Sequence, residues 1–190
     1  MKSNLHKLLG KLFPLLFLTA IILTGCNPEQ SNEELKKKAE NGDAKAQFAL
    51  GDKYAVEKNF SEAAKWYEKA AEQGVVDAQN NLSGAYFDGR GVEKNYAEAL
   101  KWFRKAAEQG NVLAQYNLGN AYYNGKGVEK DYVEAYAWYN IAATSQLLAA
   151  SVKNRQDDLE KEMSPDQIVA AKKRTEELKA ENEARTVGKT

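Results

Sequence analysis

The sequence predicts an all-α fold, an α-solenoid of antiparallel helix pairs that follows an N-terminal signal segment. Three observations carry that prediction. Trp66, Trp102 and Trp138 stand 36 residues apart, and the alanine pairs Ala70-Ala71, Ala106-Ala107 and Ala142-Ala143 keep the same interval. Proline is missing from residue 29 to residue 164, and no stretch alternates with the period of two that a half-buried strand shows. Gly42, Gly74 and Gly110 each follow a helical pattern directly, where a left-handed residue stops a helix. A chain of 190 residues, 43% hydrophobic and 28% charged, is of a size and composition for one folded domain.

Taken in order, residues 1–25 are an expected lipoprotein signal peptide. Lys2, Lys7 and Lys11 make a positive start, LFPLLFLTAIIL (12–23) is an apolar run, and Thr24 and Gly25 are small residues before a break. The apolar run through Thr24 is 13 residues long, short of the roughly 20 that a spanning helix needs. Cys26 is the only cysteine of the chain. The ending Leu23-Thr-Gly-Cys26 closely resembles the bacterial lipobox, a resemblance that implies cleavage before Cys26 and its acylation. Two or more acyl chains make a stable anchor where one does not. In lipoproteins of this kind an aspartate after the cysteine is linked with inner-membrane retention. Asn27 stands there instead, which implies the outer membrane, facing the periplasm. Residues 26–32 are the expected lipidated tether, short enough to hold the folded part near the bilayer. Residues 33–42 are the expected N-terminal capping helix, opened by the capping box Ser31-x-x-Glu34.

Residues 43–146 hold three copies of one helix-pair unit. The first helix of each carries Leu50, Leu82 or Leu118, with Tyr54, Tyr86 or Tyr122 four residues on. The second carries Ala63, Trp66 and Ala70 or their equivalents, at the three- and four-residue spacing of one helical face. The first copy is four residues shorter and lacks the segment with a glycine pair. That segment, NGKGVEKD (124–131), looks like a phosphate cradle. However, Gly125-Lys-Gly127 recurs as Gly89-Arg-Gly91 between helices, with no strand before it and no Lys-Ser/Thr after it, so it is read as a corner rather than a phosphate site. Residues 147–185 are expected as C-terminal capping helices. Ser164, Pro165 and Gln167 start the last of them, and Lys172, Lys173, Glu176 and Glu177 face solvent. Residues 186–190 are an expected disordered tail.

These units resemble the Sel-one-like repeat (SLR), a relative of the tetratricopeptide repeat. The match rests on A-x-x-x-L-G-x-x-Y-x-x-G-x-G-V-x-x-D/N-Y-x-E-A-x-x-W-x-x-x-A-A-x-x-G. Residues 114–143 carry it, with Gln146 in place of the final glycine; residues 78–110 depart from it at Ser83, and residues 46–74 lack the glycine turn. The resemblance implies a tetratricopeptide-like superhelix whose first helices line a concave groove.

Composition excludes several kinds of chemistry. The chain has 27 basic and 27 acidic residues, but the signal segment takes three lysines and no acid, leaving 24 against 27 and a net charge of −3. A chain without a basic stripe lacks the electrostatic footprint of nucleic-acid binding. His6, the only histidine, lies in the signal segment, so the mature chain has no His-based triad or His or Cys metal site. No cofactor, metal or small-molecule substrate is expected. Asp157, Asp158, Glu160 and Glu162 are the remaining carboxylate cluster, read as a solvated helix face.

At about 100° per residue, with each repeat leucine at zero, positions two before, two after and five after it fall at roughly 160°, 200° and 140°, away from the tyrosine side. They are Phe48, Asp52 and Ala55; Asn80, Gly84 and Phe87; Tyr116, Asn120 and Tyr123. Phe48, Asp52, Asn80, Phe87, Tyr116, Asn120 and Tyr123 are therefore the expected partner-binding groove, since aromatic side chains are typical interface anchors. The expected function is a non-catalytic, membrane-anchored scaffold or adaptor that binds another envelope protein. Two alternatives stand beside it: a peptidoglycan-binding or carboxylate-dependent cell-wall enzyme, and a regulator of a membrane sensor.

Overall fold

The computed structural model describes residues 28–146 and 148–187. The expected signal segment 1–25, the expected lipidation residue Cys26 and the end of the expected tail lie outside the described residues. Within them the chain folds into nine helices: α1 (Pro28–Glu40), α2 (Ala44–Val56), α3 (Phe60–Glu72), α4 (Val76–Asp88), α5 (Tyr96–Glu108), α6 (Val112–Asn124), α7 (Tyr132–Ala142), α8 (Ala149–Glu162) and α9 (Pro165–Val187). Helices α2 with α3, α4 with α5 and α6 with α7 pack as pairs, and each pair packs on the next.

Local chemistry starts and stops these helices. Asp43 and Asn111 cap α2 and α6 by accepting from Ala46 N (2.8 Å) and Ala114 N (2.9 Å). Asn95 and Asp131 cap α5 and α7 in the same way, and such caps contribute about 1 kcal/mol each. At the other end, Gly74 N and Val75 N donate back to Ala71 O and Ala70 O (both 3.0 Å), with Gly74 at φ +88°. That is the paired carbonyl closure that a left-handed glycine permits. Ser164 and Gln167 exchange the two bonds of a capping box at the start of α9, as the sequence predicts. At the N-terminus the outcome differs. Helix α1 begins at Pro28 rather than after Ser31, so part of the expected tether 26–32 is helical. Proline is suited to a first helical position, where its missing N–H costs nothing. Glu34 then pairs with Lys38 (2.7 Å) one turn ahead instead of reaching back to a cap.

The core is built from the repeated positions. Ala70, Ala78, Ala99, Ala106, Ala107, Ala114, Ala135 and Ala142 are fully buried, which lets helix axes approach closely around Trp66, Trp102 and Trp138, all buried as predicted. A second periodic feature binds one repeat to the next. Buried Gln47, Gln79 and Gln115 each donate from Nε2 to the carbonyl of Ala39, Ala71 or Ala107 at 3.1 Å. Gln73 and Gln109 in turn donate to Gln47 (2.7 Å) and Gln79 (2.8 Å). This ladder gives each of these C-terminal carbonyls a second donor beside the N–H of Gly42, Gly74 or Gly110.

The paired glycines turn corners and more. Gly89 and Gly125 are left-handed C-caps. Gly91 and Gly127, at φ +77° and +75°, lie so close to the preceding repeat that a Cβ there would stand 2.1 Å from Phe60 O and 2.7 Å from Tyr96 Cβ. Each loop therefore docks on the first residue of the second helix before it. Helix α9 runs back along α7, tied by Arg174 to Glu134 (2.6 Å), and its end reaches α5 through Arg185 to Glu108 (3.2 Å).

Candidate concave binding face

All nine positions predicted to face away from the core are half-buried, on the side of α2, α4 and α6 opposite the repeat leucines. Their surroundings divide them. Asp52 accepts from the Tyr67 hydroxyl (2.8 Å) and Asn120 Oδ1 from the Tyr139 hydroxyl (2.8 Å). These two side chains, expected to meet a partner, instead satisfy tyrosines of the second helices. Burial, followed by the bond to Asp52, pushes the Tyr67 hydroxyl well above the usual tyrosine range, and burial does the same at Tyr139. The sequence of each flanking repeat makes room for this pairing. A Cβ at Gly51 would come 2.7 Å from the Tyr67 ring, and one at Gly119 2.7 Å from the Tyr139 ring.

The middle repeat lacks all three parts. Ser83 replaces the glycine and is fully buried, its hydroxyl bonded to Asn80 O (2.6 Å). Phe103 replaces the tyrosine and Gly84 the acceptor. With no hydroxyl to satisfy, the position needs no acceptor. Space above Gly84 is open: a Cβ there would have no neighbour within 4 Å.

Two depressions meet at this point. One, about 320 Å³, includes Phe60, Tyr67, Asn80, Asn81 and Asn117 in its lining. The other, about 360 Å³, includes Phe87, Phe103, Asn117, Asn120, Lys126 and Arg155. Gly84, Asp88 and Asn117 line both, so they form one groove over the middle repeat. Phe87 forms its apolar wall, edge-on to Tyr96 (5.0 Å) and Phe103 (6.1 Å). Phe48, Tyr116 and Tyr123 stand beside the groove rather than in it, packed on Tyr67 (6.0 Å), Tyr139 (5.6 Å) and Tyr132 (5.7 Å).

Sequence reasoning missed Asn81, Asn117, Lys126 and Arg155. Asn81 and Asn117 precede the repeat leucine directly, a recurring amide that was visible. Lys126 lies inside the glycine loop, judged only as a phosphate motif. Arg155 comes from α8, beyond the periodic region, and sits over the Tyr123 ring (5.8 Å). The carboxylates of α8 do not converge: Asp157 pairs with Lys153 (3.2 Å), Asp158 with Lys161 (3.3 Å), and Glu160 accepts from Tyr136 (2.9 Å). Among the described residues no cluster of His, Cys, Asp or Glu is arranged to hold a metal, and no helix is long and apolar enough to cross a membrane.

Helix pairs stacked in one direction, with a groove on their first helices, define a tetratricopeptide-like α-solenoid, an architecture commonly used as a protein–protein interaction scaffold. The signature of the Sel1 repeat matches three times, over residues 44–75, 76–111 and 112–146, and the chain belongs to the Sel1 repeat family. The fold is similar to the crystal structure of c5321, a protective antigen present in uropathogenic Escherichia coli strains and displaying an SLR fold. The two share 38% identity at a TM-score of 0.74, over 82% of this chain and 34% of that one. It is also similar to a Sel1 repeat protein from Oxalobacter formigenes, with 43% identity and a TM-score of 0.59 over 62% of this chain and 50% of that one. The chain thus spans about a third and a half of these two. No curated protein sequence matches it.

Proposed function

We propose that this chain is a non-catalytic scaffold of the bacterial envelope, lipid-anchored at Cys26 in the outer membrane and facing the periplasm, that holds another envelope protein in the groove over its middle repeat. The observation that carries the reading is the groove itself, an aromatic wall at Phe87 and Phe103 beside an amide floor, built where the repeat pattern is broken. Membership of the Sel1 repeat family supports a protein as the partner. The signal-peptide pattern and the lipobox-like ending support the anchor.

Crosslinking capture from envelope membranes tests it, comparing the acylated chain with Phe87→Ala, which removes the groove wall, and with Tyr116→Ala/Tyr123→Ala, which removes the rings that hold Arg155 at the groove, both of verified helicity. A partner held by the parent chain and lost from both variants is the expected result. Equal capture by all three would place binding elsewhere. Sedimentation with purified cell wall, unaffected by these substitutions, would favour the peptidoglycan-binding alternative. For the anchor, Cys26→Ala is expected to abolish incorporation of a palmitate label and release the protein from membranes.

A further inference from the structure

The groove has an electrical character that the scaffold reading does not by itself require. Lys126 and Arg155 both line it, and neither has a carboxylate partner among the described residues. Most lysines on the helices stand one turn from an acid, whereas the loop lysines Lys94, Lys126 and Lys130 lie over aromatic rings, and of these Lys126 lines the groove. Lys126 is held over the Phe87 ring (5.2 Å), and Arg155 lies against Tyr116 and Tyr123. Aromatic contacts of this kind fix a cation in place without neutralising it. Asp88, the acid of the groove, is already paired with Arg90 (3.1 Å). The local excess is therefore positive in a chain whose mature net charge is negative.

The floor adds unsatisfied amides. Asn80 Oδ1 is buried and accepts no hydrogen bond within the described chain. The Asn117 side chain also makes none there, although it lines both halves of the groove. Asn80 Oδ1 is closed to solvent in this conformation, so the amide must turn toward the groove before a bound N–H can recover the cost of the open acceptor. Asparagine amides side by side match the alternating donors and acceptors of an extended peptide backbone. Above Gly84, the open space at the middle of this floor admits a side chain.

Building on the scaffold reading, we infer that the groove binds an extended acidic segment of its partner: the backbone runs over Asn80 and Asn117, one side chain enters the notch above Gly84, and an aspartate or glutamate side chain lies between Lys126 and Arg155. A side chain, rather than a chain end, is indicated by position. Lys126 is exposed on the rim loop while the amides lie on the floor, so a chain following the floor presents the carboxylate sideways.

The test is two series of nine-residue peptides, one acetylated and amidated at its ends and one with a free C-terminal carboxylate, screened against the full-length detergent-solubilised protein. Peptides with a central Asp or Glu are expected to bind about tenfold tighter than their Asn or Gln counterparts, the scale of one charge-assisted contact. Lys126→Glu is expected to remove that preference. Gly84→Asp, which has room to fold, is expected to remove binding itself. Binding without preference for the acid, yet lost in Phe87→Ala, would overturn the acidic assignment and leave the scaffold reading standing. Binding confined to peptides with a free C-terminal carboxylate would overturn the side-chain assignment. If no peptide of either series binds, the extended-segment assignment is overturned, while partner capture from envelope membranes that is lost in Phe87→Ala would leave the scaffold reading standing.

Discussion

The first and third repeats differ from the middle one at three positions that act together. In the flanking repeats a glycine admits a tyrosine ring, and an Asp or Asn one residue further receives its hydroxyl. In the middle repeat Ser83, Gly84 and Phe103 abandon this arrangement as a set. The difference teaches that one position of the first helix serves two purposes in the same molecule. Where the acceptor is needed to satisfy a buried hydroxyl, the concave face is closed by internal bonds. Where it is not needed, the face is free to open.

The largest expected effect is at the junctions that hold these repeats in register. Gly91→Ala and Gly127→Ala combine positive φ with a clash into the preceding repeat, and each is expected to cost about 3 kcal/mol or more in thermal or denaturant unfolding. Next come the flanking repeats: Gly51→Ala or Gly119→Ala drives a methyl into a tyrosine ring, for an expected loss of about 2 kcal/mol. Tyr67→Phe or Tyr139→Phe is expected to cost about 1 kcal/mol by removing the hydroxyl donor to Asp52, which keeps only Asn81 Nδ2 at 3.4 Å, or to Asn120.

The same tyrosines set an alkaline limit. Their folded hydroxyls ionise above the ordinary range and that of Tyr136, through burial and its bond to Glu160, at about 12. Above about pH 10 the unfolded chain loses these protons first, so it binds fewer protons than the folded chain and stability falls as pH rises. The stability is intact below pH 10 and is lost through the folded values. A Tyr67→Phe/Tyr136→Phe/Tyr139→Phe variant is expected to show a shallower decline in pH-dependent melting. The smallest expected effect is a gain. Gly84→Ala meets nothing within 4 Å and lies inside α4, so it is expected to stabilise by about 0.5 to 1 kcal/mol, where the same change at Gly51 or Gly119 destabilises.

Much of this was legible in the sequence because the repeat reports the same environment three times. Buried tryptophans, helix-ending glycines and the Ser164 capping box all follow from spacing and side-chain chemistry. Ser83 was visible as a departure from the pattern, but its link to Gly84 and Phe103 was not, because those residues are separated along the chain and meet only when α4 packs on α5. The angular reading put nine residues on the right side of their helices. It could not show that Asp52 and Asn120 would be used by tyrosines of the next helix. Arg155 was beyond reach for another reason: the period ends near Gln146, and nothing local says that α8 turns an arginine toward Tyr116 and Tyr123. The start of α1 was misplaced because Ser31 offers a good cap while Pro28 offers an equally good first residue, and spacing alone does not rank them.

The most direct measurement is to convert the middle repeat to the pattern of its neighbours, with Ser83→Gly, Gly84→Asn and Phe103→Tyr together, and to compare stability and partner capture with the parent chain. The account predicts a protein that melts at or near the parent temperature, with a new hydroxyl-to-amide bond across α4 and α5, and that no longer captures its partner from envelope membranes. Undiminished capture by a folded triple variant would contradict it, since the groove would then be incidental to binding.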